Sequence, residues 1–207
     1  MKQILIILVI ISMLFLSGCY RNELPVNNVL VLRGNTSSNQ SINFSTGMED
    51  LRFPVTAIKT VAGVKEALFV PFINKTIALE FPKKLEKQAF VTAQLPHERI
   101  KNSTLYAHFH WTPEDTVSVG YVRWCMDYTF ANINDTFPYT TTVCVEDESD
   151  GVAYKHQKTD MIVIPNNLTD SAIGQIRIWR DTDDTYFDNV WLHEFDIHYL
   201  KLIVENN

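Results

Sequence analysis

Leu105-Tyr106-Ala107-His108-Phe109-His110-Trp111 alternates with a period of two. Leu105, Ala107, Phe109 and Trp111 fall on one side, and Tyr106, His108 and His110 on the other. That period belongs to a β-strand with one buried face. Val122, Trp124, Met126, Tyr128 and Phe130 alternate likewise with Arg123, Cys125, Asp127 and Thr129. Leu68 to Ile73 and Thr76 to Phe81 are apolar runs parted by Asn74-Lys75, a hairpin signal. Further strands are expected at Ala89–Leu95, Tyr139–Val145, Met161–Ile164, Ala172–Trp179 and Val190–Val204. No stretch has strong helical periodicity with caps. The best helix candidate is a turn or two at Lys83–Gln88, after Pro82. About nine or ten short strands with Pro, Asn and Asp turns imply an all-β chain, an antiparallel β-sandwich or jelly roll.

The 207 residues carry a net charge of −6 and no Lys/Arg block, which argues against a nucleic-acid partner. The chain starts with Lys2 and an apolar run from Ile4 to Leu16. That run is short for a bilayer span and suits the h-region of an export signal. It ends in Leu16-Ser17-Gly18-Cys19, the pattern of a bacterial lipobox, with Cys19 as the lipidated residue. Three segments follow: a signal peptide at 1–18, a polar, turn-rich tether at 19–48, and a β domain at 49–207. If Cys19 is processed, the chain is lipid-anchored in the bacterial cell envelope. Tyr20 behind the cysteine favours the outer membrane. Export also makes a disulfide between Cys125 and Cys144 chemically open, and two buried thiols packed as small apolar groups are equally open.

Three constellations could carry chemistry. His108 and His110 are two apart on a strand, so both point to one side and can share a metal ion. With Glu114 they make His-x-His-x3-Glu, the spacing of a cupin metal motif, but Asn102 stands where that motif has glycine. The alternative is an inter-strand polar cluster. Glu194, Asp196 and His198 share one face of the last strand, with Phe195, Ile197 and Tyr199 on the other. Glu-x-Asp on a sandwich strand is a glycosidase pattern, but the expected third carboxylate is replaced by His198 and Tyr199. If the two strands are neighbours, their imidazoles and carboxylates would pair across them. Asp181-Thr182-Asp183-Asp184 with Asp188 is an acidic turn that lacks the EF-hand glycine and glutamate, and a solvated turn is expected. Trp111, Trp124, Trp179 and Trp191 could line a sugar platform, but their strand positions fit a core better. No cofactor motif is present, and no catalytic residue is assigned.

Several pieces together resemble a family of small tailed-bacteriophage proteins of unassigned role, usually taken to be virion or structural components. They are Asp50-Leu51-Arg52-Phe53-Pro54, Ala93-Gln94-Leu95-Pro96-His97, the His108-Phe109-His110-Trp111 strand, Arg123-Trp124 with Tyr128, and Glu194-Phe195-Asp196-Ile197-His198-Tyr199. The similarity runs in order over about residues 49–200. It implies a jelly roll that acts without chemistry in virion assembly or surface attachment, as a homo-oligomer such as a trimer, alongside other virion proteins. The leader departs from that family, whose members start near the Asp-Leu-Arg-Phe-Pro segment. The alternative is an envelope lipoprotein whose sandwich binds a surface glycan or receptor.

Overall fold

The computed structural model describes residues 42–206, apart from 64, 115, 117, 118, 165 and 166. The leader, Cys19 and most of the tether lie outside the described residues. Among those described, no helix is long and apolar enough to cross a membrane.

Eleven strands are present among the described residues: β1 (Ile42–Pro54), β2 (Leu68–Phe72), β3 (Thr76–Phe81), β4 (Gln88–Gln94), β5 (Leu105–Pro113), β6 (Tyr121–Ala131), β7 (Thr141–Glu148), β8 (Gln157–Lys158), β9 (Ile162–Ile164), β10 (Ile173–Arg180) and β11 (Val190–Asn206). The Lys83–Gln88 segment forms a turn that leads into β4, and the one helical element described is a 3-10 turn at Val55–Ala57. Lys84 takes a left-handed backbone conformation (φ 65°), which breaks the helix that Pro82 would open. β1 begins at Ile42, inside the stretch read as tether, because β11 runs long enough to pair it from Ile42↔Asn206 to Pro54↔Glu194.

The strands form a two-sheet antiparallel sandwich. One sheet runs β2-β3-β11-β5-β8, with β1 also on β11 and β9 also on β5; the other runs β4-β10-β6-β7. The alternation in the sequence sets which face is buried. Leu105, Ala107, Phe109 and Trp111 of β5 point inward and meet Val122, Trp124 and Met126 of β6. Phe109 stacks on Trp124 at 5.2 Å, and Phe81 meets the same indole edge-on. On β10 the inward positions are Gly174, Ile176 and Ile178. A Cβ on Gly174 would lie 2.3 Å from the ring of Phe130, its cross-strand partner, so the missing side chain makes room for that aromatic.

Cys125 and Cys144 sit opposite each other in the β6–β7 register, with Cα atoms 4.1 Å apart, and form a disulfide. Pairing in register brings the Cβ atoms together, which spacing in the sequence does not reveal. The acidic turn also differs from expectation. Asp184 is buried and holds Arg180 and Lys83, while Asp188 and Tyr186 present backbone carbonyls to Arg180. The turn is folded around a guanidinium, which the sequence pattern of carboxylates does not show.

Candidate functional site

The outward side of β5 carries His108, His110 and Thr112, and β11 lies beside it in antiparallel register. Asp196 pairs with His108 and Glu194 with His110. The register shifts between Leu192 and Glu194, leaving His193 as the extra residue. This bulge moves the strand from Leu192 facing the core to Glu194 facing out, and it also aims His193 outward. β1 adds Asp50 and Arg52, whose neighbours Leu51 and Phe53 pack toward the core. β8 and the segment before it add Lys158, His156 and Tyr154, and the β2–β3 hairpin adds Phe72. Together these line an open cleft of about 630 Å³ on the outer face of the larger sheet. Five of the chain's six histidines line it.

The cleft holds a continuous chain of imidazoles and carboxylates. His198 Nδ1 is hydrogen-bonded to Asp50 Oδ1. His198 Nε2 lies 3.0 Å from His108 Nδ1. His108 Nε2 lies 2.8 Å from His110 Nε2 and 3.4 Å from Asp196 Oδ2, and His110 Nε2 is 3.1 Å from that same oxygen. His110 Nδ1 then meets His156 Nε2 at 2.7 Å. Arg52 grips Glu194 with two N–H groups, at 2.6 and 2.7 Å. His193 Nε2 is 3.1 Å from Thr112 Oγ1, with the Phe72 ring edge-on to its imidazole.

Burial dominates the electrostatics. It lowers His108, 3 % exposed, against the opposing pull of Asp196. Burial, with the neighbouring His156 and His110, pushes His193 down to about 4. Burial alone would raise the Asp196 carboxyl, but hydrogen bonds from His108 and His110, and their charge, hold it well below the usual carboxylate range. Asp196 is 4 % exposed, and its Oδ1 has no hydrogen-bond partner among the described residues.

His108, His110, Glu194, Asp196 and His198 are therefore brought to one face. Glu114 is not: it sits past the end of β5, its N–H bonded to the Asn189 carbonyl, with its charge felt by Glu80. Pro113 and the strand end carry it away, so the cupin-like third position is replaced by Asp196 from the adjacent strand. The tryptophans do not line the cleft. Trp111 and Trp124 are fully buried, and Trp191 is nearly so, lying under Tyr154 at 5.1 Å. Asp50 and Arg52 had a signal in the sequence, the alternation with Leu51 and Phe53. His156 had none, since it sits outside any regular run.

No protein-family model matches the chain, and no curated protein matches it. Among solved structures, a family 35 carbohydrate-binding module from Clostridium thermocellum is similar at 9% identity, over 72% of this chain and 97% of that one, with a TM-score of 0.40. A carbohydrate-binding module specific for non-crystalline cellulose is similar at 11% identity, over 72% and 88%, with a TM-score of 0.36. Latent PorU from Porphyromonas gingivalis is similar at 12% identity, over 74% of this chain and 13% of that one, with a TM-score of 0.34. Likeness this weak carries no argument about ligand or activity.

Proposed function

We propose that this β-sandwich is a non-enzymatic attachment domain that holds a surface glycan in the histidine-lined cleft. The observation that carries the proposal is the make-up of the cleft wall. The aromatic rings of Phe72 and Tyr154 stand beside the charged, hydrogen-bonding groups of Arg52, Glu194 and Lys158. A sugar ring has an apolar C–H face and a rim of hydroxyls, and it needs both kinds of partner. A binding role is supported over hydrolysis by the state of the carboxylates. Glu194 is held by Arg52 and Asp196 by two histidines, and Tyr199 is turned into the core. That leaves no acid and nucleophile pair of the glycosidase type on β11.

The test is a glycan array with the full-length protein. Binding to one glycan class is expected, weakened at least tenfold by Arg52→Ala or Tyr154→Ala with an unchanged circular dichroism spectrum. Silence across the array overturns the proposal. The resemblance to tailed-phage proteins favours a particle-borne domain, and the Leu16–Cys19 lipobox an envelope-anchored one. Mass spectrometry of the mature N-terminus separates them, since diacylglycerol on Cys19 would place the domain in the envelope.

A second reading, self-assembly, is favoured by the edge of the larger sheet. Leu68, Phe69, Ile73 and Ile77 of the β2–β3 hairpin are exposed there. An edge strand with apolar side chains is a template for another copy. Light scattering is expected to find oligomers, and a monomer at high concentration would count against them.

A further inference from the structure

We propose that His108, His110 and Asp196 form a binding site for one first-row divalent transition ion of the zinc type. This goes beyond the attachment reading and stands without it. The three atoms His108 Nε2, His110 Nε2 and Asp196 Oδ2 make a triangle with sides of 2.8, 3.1 and 3.4 Å. Zinc–ligand bonds of about 2.0–2.1 Å place adjacent donors of a tetrahedral or octahedral ion about 2.9–3.4 Å apart. Two imidazoles and one carboxylate on one face also suit a divalent ion that keeps open positions for an outside ligand. Those positions would face the cleft.

The carboxylate gives a second observation. Asp196 Oδ1 is buried and has no hydrogen-bond partner among the described residues, so a negatively charged acceptor is left short of a donor or cation beside the triangle.

The flanking groups match what ligating histidines require. Each ring turns its Nδ1 away from the triangle and onto a fixed partner, His108 to His198 and His110 to His156. Such outer partners hold the ring orientation and the tautomer. His108 and Asp196 are more than nine-tenths buried. His110 is more open and forms the side that faces the cleft.

The test uses untagged full-length protein, stripped with chelator and titrated with zinc chloride by calorimetry, with bound metal counted after desalting. One zinc per chain is expected. His110→Gln and Asp196→Asn, checked by near-ultraviolet circular dichroism, are expected to weaken binding at least tenfold. Glu114→Gln and His97→Gln should leave it within twofold, which separates this triad from the His-x-His-x3-Glu set and from stray histidine binding. If the variants fail to fold, the cobalt-loaded wild type reports directly: a ligand-field spectrum with nitrogen ligands supports the site, and an aqueous cobalt spectrum overturns it. No retained zinc, or zinc affinity untouched by both substitutions, also overturns it. Zinc uptake with a silent glycan array leaves the metal site standing and removes the attachment reading. Glycan binding that persists in chelator, with no zinc taken up, does the reverse.

Discussion

Two clusters in this protein bury a carboxylate among cationic or ionisable partners, and they are finished to different degrees. At the end of β10, Arg180 is 2 % exposed and uses all its N–H groups. Nε donates to Asp184 Oδ2, Nη1 to the Phe81 and Asp188 carbonyls, and Nη2 to Asp184 Oδ1 and the Tyr186 carbonyl. Lys83 adds a bond to Asp184 Oδ1 at 2.6 Å. Every guanidinium N–H has an acceptor, and both oxygens of Asp184 are engaged, so the cluster is closed around Arg180. On the outer face of the larger sheet, beside His108 and His110, the buried Asp196 carboxylate keeps its Oδ1 without a hydrogen-bond partner among the described residues. A buried polar group left short of partners is costly, and a fold that keeps one commonly does so for a purpose. The closed cluster ties β3 and the end of β10 to the turn that leads into β11. The open one faces the cleft.

The contrast can be broken by substitution, starting with the closed cluster. Arg180→Met should destabilise the fold by about 3–5 kcal/mol, because it leaves the Asp184 carboxylate buried with Lys83 as its main counter-charge. Chemical denaturation measures this, and a loss under about 1 kcal/mol would show that the turn does not depend on the guanidinium.

Asp147 is an intermediate case. It reaches from β7 across the sandwich to accept one hydrogen bond from Trp111 Nε1 at 2.7 Å. Burial, opposed by that bond, raises its carboxyl to about 6. Its folded value lies above the unfolded one, so the folded state holds the proton more tightly. The stability this contributes is full below about pH 4 and is lost as pH rises through 6. Asp147→Asn keeps an acceptor for Trp111 and should be more stable than the wild type at pH 7, by on the order of 2–3 kcal/mol. The two proteins should converge at pH 4. Denaturation at both pH values checks this, and parallel curves would refute it.

The open cluster should behave in the opposite way to Arg180. In chelator, Asp196→Asn should change stability by about 1 kcal/mol or less, since the amide still accepts from His110 and removes a buried charge. A loss as large as that of Arg180→Met would make the triad structural. The smallest effect is expected at the cleft rim. Arg52→Ala removes a pair whose arginine side is largely exposed, and should shift the thermal midpoint less than any of the substitutions above.

Much of the fold was legible because β-strands write their buried face into the sequence with a period of two. Leu105 to Trp111, Val122 to Phe130 and Phe195 to Tyr199 each gave the correct inward set. The same periodicity put His108 with His110, and Glu194 with Asp196 and His198. It could not say that β5 and β11 are neighbours, nor that they are in the register that sets Asp196 against His108. The His-x-His-x3-Glu spacing also misled at Glu114, which lies just past the end of β5. Strands as short as β8 and a one-residue bulge at His193 leave too little pattern to read.

The sequence by itself determined the two-faced strands, the all-β class and the histidine and carboxylate faces, because these depend on neighbours along one chain. Only the tertiary structure decided the rest. It joined Cys125 to Cys144, closed Arg180 within its carbonyls, and brought His156, Asp50 and Asp196 to the histidines of β5. Those contacts depend on which strands pair and in what register. Strand pairing is set by the packing of the whole core, and no local stretch of sequence carries it.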